Sequence, residues 1–371
     1  MTLEGCRARQ RRLLAEMEAQ RWDLFVTSDY RTVYYLTGAL SEAVVPTVFA
    51  LRADGNSTLV TAAKGEWCAG ETVPLEFYSI RRTITHPAHD AAGLLKAALA
   101  RQGAGVATCA VEQAVVSSLL DRALQEVWPR LEVADATGTV LKLRKRKEED
   151  EIAEIRESLR YCAAAYRAAR ETISPGRTEL DVYLAMYGAI VREAGTAVEF
   201  LGDFACGERG ISGGGPATRR AIQAGDLYIL DIFPAPHLYF GDVCRTFAAT
   251  APTDLQMRAW ELVRQAMRIG EAAVKPGVRA RDVYARVKEF LDADPLSEKS
   301  FWHHAGHGIG HRGHEAPRII PGTDDIFEAG DVITLEPGVY SQALQGGIRL
   351  EDNYVVRENG LENLFDFPME L

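Results

Sequence analysis

Long apolar runs are missing from this sequence. No 18 consecutive apolar residues exist to span a bilayer, and the charged segment Glu4 to Arg12 has no apolar stretch behind it, so neither a membrane span nor a signal peptide is expected. Cysteine is scarce and scattered. Its six positions (Cys6, Cys68, Cys109, Cys162, Cys206, Cys244) contain no CxxC pair, which excludes a disulfide scaffold or a Cys-rich zinc site and points to reduced thiols in a cytoplasmic protein. Positive charge is in deficit as well. A net charge of −10 argues against nucleic acid or an anionic membrane as partner and suits a protein that directs acidic side chains to metal. The remaining composition, 47% hydrophobic and 25% charged over 371 residues, is that of a globular protein with room for two domains.

Histidine is rare too, but it is not scattered. Five of the eight (His303, His304, His307, His311, His314) lie between Trp302 and Pro317, interleaved with Gly306, Gly308, Gly310 and Gly313. Each Gly costs a helix about 1 kcal/mol relative to Ala. That weakens a zinc-protease HxxxH helix at His303 and His307 and favours a strand or extended loop that lets backbone approach a metal or substrate. The bland alternative is a surface His/Gly loop.

Residues 1–145 alternate short β-rich runs with helical ones. We expect a helix over Leu3–Gln20, a strand at Asp23–Thr27, and a hairpin over Phe49–Thr61 turning at Asp54-Gly55. Helices follow at Ala91–Ala100 and Val115–Val127, with a strand at Ala107–Glu112. This α/β domain shows no catalytic cluster; Tyr34 to Gly38 is its one candidate functional stretch, and buried packing at a strand end is the reading preferred for it. The boundary falls in Leu141 to Glu151, where basic residues give way to acidic ones. Glu148, Glu149 and Asp150 favour the start of a long helix reaching Thr172.

Residues 146–371 contain an internal repeat. Ser174-Pro175-Gly176-Arg177 with Asp181-Val182-Tyr183 recurs 101 positions on as Lys275-Pro276-Gly277-Val278 with Asp282-Val283-Tyr284. Ala224 to Asp231 recurs 105 positions on as Ala329 to Glu336. Each half reads as helix, Pro-Gly turn, helix and strands, and each places a carboxylate at the same point: Asp231 and Glu336. The next strand of each half adds a second acid, Asp242 and Glu351. A two-fold arrangement of ααββ units brings four carboxylates to one centre. Unpaired buried charge is costly, and the nearby cations are Arg245 and Arg349. The bland reading is a structural ion pair; two divalent cations would compensate all four acids. An oxygen-rich set with one imidazole favours Mn²⁺, with Co²⁺, Fe²⁺ or Zn²⁺ as alternatives. Two such ions can activate a shared water for hydrolysis.

These residues form specific motifs: Asp231 and Asp242 eleven apart, G-H-G-I-G at 306–310, His314-Glu315-x-Pro317, Glu336-Pro337-Gly338 and Gly347-x-Arg349-x-Glu351-Asp352. They resemble the pita-bread metalloenzymes: methionine aminopeptidase, aminopeptidase P, prolidase and the metal-free creatinase. Residues 1–145, with Tyr35-Leu36-Thr37-Gly38, resemble the N-terminal domain of the aminopeptidase P, prolidase and creatinase branch. The resemblance implies an α/β (α+β) fold, with a pita-bread domain of two pseudo-symmetric ααββ halves behind a smaller creatinase-like domain.

It also implies two metal ions on Asp231, Asp242, His307, Glu336 and Glu351, with no organic cofactor. Glu336 would shuttle protons, His303 and His314 would contact substrate and oxyanion, and Arg349 would stand beside the last ligand. The expected activity is that of an Xaa-Pro aminopeptidase or Xaa-Pro dipeptidase (prolidase), acting on a peptide or small amide, in a homodimer. The alternatives are a creatinase-like C–N hydrolase and a catalytically silent binding module. His304 and His311 match no family role. One departure stands out: the loop Ile211 to Arg220 has Gly214 where the family has a His. Either a neighbour such as His303, His304 or Arg219 takes over its contact, or the pocket accepts a different substrate. The glycines at 213–215 suggest a mobile loop, or one that turns backbone N–H groups to a ligand.

Overall fold

The computed structural model describes residues 1–81, 84, 86–103 and 105–371, which separate into two compact units, Met1–Arg144 and Lys145–Leu371. In the first, a six-stranded sheet is built around Leu24–Thr27, which pairs antiparallel with Val48–Arg52 and parallel with Thr108–Val111. Strand alternation sends Phe25, Phe49 and Leu59 to one face, against Leu13 and Met17 of the helix Leu3–Gln20. Leu24, Val26 and Val48 go to the other, against Leu95 and Leu99 of the helix Pro87–Gln102. The hairpin turns at Gly55 (φ 88°), where the Asp54 side chain accepts from Asn56 N at 2.9 Å.

Two expectations need correction here. Tyr34 to Gly38 is no strand end: it closes the helix Tyr30–Thr37, capped by the Asp29 side chain at its start and by Gly38 (φ 78°) at its end. Two good caps and the burial of Val33, Tyr35 and Leu36 outweigh a β-prone composition. The helix placed at Val115 begins only at Ser118, where the Ser117 side chain accepts from Leu120 N.

The second unit carries the repeat. Helices Glu149–Thr172 and Glu179–Ala194 lead into a three-stranded antiparallel sheet of Phe200–Cys206, Leu227–Pro234 and Val243–Ala248. Helices Asp254–Ala273 and Ala280–Asp292 lead into a five-stranded sheet ordered Glu315–Arg318, His307–Gly308, Val332–Leu335, Asp352–Arg357, Gly360–Asn363. The main-chain bonds repeat with the sequence. Gly176 N to Ile222 O (2.9 Å) recurs as Gly277 N to Phe327 O (2.8 Å), and Glu179 N to Arg220 O (3.1 Å) as Ala280 N to Asp325 O (2.8 Å). The halves meet where Cys244 and Glu351 exchange main-chain bonds of 3.3 and 3.0 Å, which sets the strand after Asp242 beside Glu351. All six cysteines are buried thiols, and no helix among the described residues is long and apolar enough to cross a membrane.

Candidate metal centre

The four acids arrive from two pairs of strands. Asp231 lies within Leu227–Pro234, and Asp242 immediately precedes Val243–Ala248, where Asn353 brackets its main chain. Glu336 follows Val332–Leu335, and Glu351 links Gly346–Arg349 to Asp352–Arg357. All four are buried and line one cavity of about 500 Å³ with His303, His304, His307, His314 and Arg349.

His307 is aimed by its own backbone. Its Nδ1 lies 3.0 Å from Gly308 O, which can only accept, so Nδ1 carries a proton and Nε2 is the ring atom that faces the acids. That Nε2 is 3.2 Å from Glu336 Oε1 and 3.8 Å from Asp242 Oδ2. Atoms of Asp242, His307 and Glu351 lie within 4.8 Å of one another, as do atoms of His303, His304 and Glu336.

The electrostatics show what this set needs. Burial pushes the Asp231 carboxyl up to about 6 despite Arg349, whose Nη2 donates to Oδ2 at 2.6 Å. Burial, then the neighbouring acids, pushes Asp242 and Glu351 well above the carboxylate range. Burial also opposes charge on Glu336, but His304 and His307 outweigh it and hold that carboxyl well below its ordinary value. Asp231 Oδ1 and both oxygens of Glu351 are buried with no hydrogen-bond donor in reach. Such carboxyls must hold a proton, and their ionised form is costly there unless a cation meets it. The residues therefore fit divalent metal.

Arg349, Tyr340 and His303 form a chain beside the acids. Arg349 Nη1 donates to Gly213 O (2.8 Å) and to the Tyr340 hydroxyl (3.0 Å), which lies 2.8 Å from His303 Nε2. His303 Nδ1 is 2.7 Å from His304 O, so both of its ring nitrogens are engaged and burial lowers its pKa to about 4. His314 lines the cavity with part of its ring in solvent, and partial desolvation, then His307 and His304, lowers its pKa to about 4. His304, left without a role by the sequence, turns its Nδ1 to within 3.1 Å of Glu336 Oε1. His311 is instead buried against the Tyr239 ring, with Nδ1 3.0 Å from Leu238 O.

Gly214 leaves no gap: a Cβ there would stand 2.3 Å from the Asp203 carboxylate, whose Oδ1 accepts from Gly215 N at 2.8 Å. A side chain at position 214 would thus meet Asp203, a residue of the cavity that sequence reasoning missed along with Tyr340 and Trp302. The available signal was an acid inside the apolar run of Phe200–Cys206. Gly214→His should accordingly push the Asp203 carboxylate off Gly215 N and cost about 1 kcal/mol, the worth of that hydrogen bond, and adding Asp203→Ala should lower stability little further. Thermal melts of the single and double variants check this.

Residues 153–358 match the description "Metallopeptidase family M24", and residues 9–146 match "Creatinase/Prolidase N-terminal domain". An Xaa-Pro dipeptidase of Pyrococcus furiosus is 32% identical over 231 residues, covering 62% of this chain but only 65% of that relative's length. A probable dipeptidase PepE of Mycobacterium bovis is 32% identical over 293 residues, covering 76% of this chain and 73% of the relative. The solved dipeptidase PepE of Mycobacterium ulcerans superposes with a TM-score of 0.77 at 27% identity, over 100% of this chain and 98% of that one.

Proposed function

Because the chain belongs to metallopeptidase family M24, we propose that it is a metal-dependent Xaa-Pro dipeptidase or aminopeptidase, releasing the N-terminal residue ahead of a proline. The observation that carries this is the buried four-acid cluster with donorless carboxylate oxygens, facing one imidazole in a cavity open to substrate. Asp231, Asp242, His307, Glu336 and Glu351 would hold two divalent ions, with Mn²⁺ proposed from the oxygen-rich set. Bound there, the ions supply an activated water and a Lewis-acid grip on the scissile carbonyl.

The chain's own groups do the rest. Glu336, ionised and anchored by Thr334 Oγ1 at 3.1 Å, is placed to take a proton from the attacking water and return it to the leaving nitrogen. His314, neutral at physiological pH, offers a ring N–H to the carbonyl oxygen as it gains charge. Arg349, Tyr340 and His303 hold that wall of the cavity in place. All five ligand positions are kept, which favours this reading over a silent module or a metal-free creatinase-like enzyme. Composition supports a cytoplasmic location, and the resemblance supports a homodimer.

The test is hydrolysis of Leu-Pro and of Leu-Pro-Gly by Mn²⁺-loaded and chelated protein, with metal content measured alongside. Turnover at least about a hundredfold higher in the loaded sample is expected, since the site's activated water goes with the metal. The ratio between the two peptides separates dipeptidase from aminopeptidase. Undiminished turnover in metal-free protein overturns the reading.

A further inference from the structure

One side of the cavity carries residues the metal ligands do not use. Strand pairing sets Asp203 directly opposite Asp231 and Leu201 opposite Phe233, and alternation puts all four on one face of the sheet. Two acids facing each other across a ladder repel, and Arg349 moderates this unevenly. Its Nη2 is 2.6 Å from Asp231 Oδ2 but 3.5 Å from Asp203 Oδ2. Its Nη1 is spent on Gly213 O and Tyr340. Asp203 Oδ1 takes the Gly215 amide, while Oδ2 keeps acceptor capacity toward the cavity, on a side chain 41% exposed.

Trp302 lines the same cavity and is 57% exposed. A Cβ on Gly213 would lie 3.1 Å from its indole ring, and one on Gly214 2.3 Å from the Asp203 carboxylate. The glycines thus make room for a carboxylate and an indole side by side. A carboxylate with open lone pairs, a ring face, and the apolar surface of Phe233 together suit a cation on an apolar stem.

We propose that Asp203, with Trp302, makes this enzyme select substrates whose N-terminal residue has a basic side chain, arginine ahead of lysine. The inference rests on the Xaa-Pro reading above: with proline on the leaving side, the N-terminal residue is the one whose side chain varies. The α-ammonium has the same charge chemistry, but every dipeptide carries it. Only recognition of the side chain changes the ratio between substrates.

The test compares kcat/KM for Arg-Pro, Lys-Pro, Leu-Pro and Glu-Pro. Arg-Pro should exceed Leu-Pro by about tenfold to a hundredfold, the range for a charge-assisted hydrogen bond. Asp203→Asn keeps an acceptor for Gly215 N and should bring that ratio close to one. Asp203→Lys should reverse the order in favour of Glu-Pro, which a merely structural role could not do. Trp302→Ala should narrow the gap between Arg-Pro and Lys-Pro. A wild-type ratio near one overturns the proposal. So does an Asp203→Asn variant that loses all four substrates equally, which would assign Asp203 to the ammonium. Calorimetric binding of arginine amide against leucine amide, to wild type and Asp203→Asn, reads the same selectivity without turnover. Tighter arginine amide binding that the substitution removes supports the assignment even if no Xaa-Pro peptide is cleaved, and equal binding overturns it.

Discussion

Asp242→Ala or Glu351→Ala is expected to strip the protein of metal and cut turnover by far more than the roughly tenfold to hundredfold that loss of a ligand's supporting partner costs. Stability should move the other way. In the metal-free protein Glu351 has two buried oxygens without donors, so Glu351→Gln should raise the melting temperature of that form while abolishing activity. The pH dependence follows from the same groups. Asp231, raised to about 6, and Asp242 and Glu351, raised further, bind protons in the fold at pH values where the unfolded chain has released them.

A raised folded pKa contributes stability that is fully present below the unfolded value, near pH 4, and is lost as pH rises through the folded one. The metal-free protein should therefore lose stability as pH climbs through about 6 and beyond. Added Mn²⁺ should restore it, with a rise in melting temperature that grows from about pH 5 to about pH 8. Melting curves with and without metal across that range are the measurement. A metal-induced shift independent of pH would mean that these acids are not what the metal neutralises.

Glu179→Ala is expected to be the most damaging substitution outside the acid cluster. The buried Glu179 carboxylate accepts from Cys206 N (3.0 Å) through one oxygen, and from Thr218 N (2.9 Å) and the Arg209 guanidinium through the other. It thereby ties together both ends of the segment that carries Gly213 to Gly215. Removing it leaves several donors unmet and Arg209 without its acid. Because the Arg209 side chain is 26% exposed, we take the low end of the range for breaking a buried pair, about 3 kcal/mol. That corresponds to a fall of roughly 6–12 °C in melting temperature for a unit of this size. Activity should fall about tenfold through the lost support of Arg349 by Gly213 O, since misplaced groups cost rate directly. Glu179→Gln keeps one acceptor oxygen and should recover part of both. A Glu179→Ala melt unchanged from wild type would show that the loop does not depend on this clamp.

The halves and their acids were legible because they are written as repeated strings, and a buried acid at the end of an apolar run has few explanations. What escaped was set by pairing register and loop packing. Asp203 belongs to the site only because its strand aligns it with Asp231. Tyr340 belongs because the ribbon Gly338–Ser341 with Gly346–Arg349 brings its hydroxyl to Arg349. Two histidines seven residues apart in the same His/Gly window had opposite fates. His304 turned to Glu336 while His311 packed on Tyr239, and no local pattern separates them. Tyr34 to Gly38 was misread because the caps of the helix Tyr30–Thr37, one residue beyond each end, decide what its apolar composition leaves ambiguous.

The repeat also bears on the direction in which a peptide can lie. A site between two equivalent halves has no intrinsic head or tail, because Asp231 and Glu336 are counterparts. The neighbouring chain segments break that equivalence. Asp203 faces Asp231, whereas Ala305, whose carbonyl accepts from Glu336 N at 3.0 Å, flanks Glu336 between His303 and His307. One flank is anionic and apolar, with Leu201 and Phe233; the other is lined with imidazoles. A duplicated frame that supplies matched charges to its centre thus becomes vectorial through its edges, and a bound dipeptide would meet two different ends.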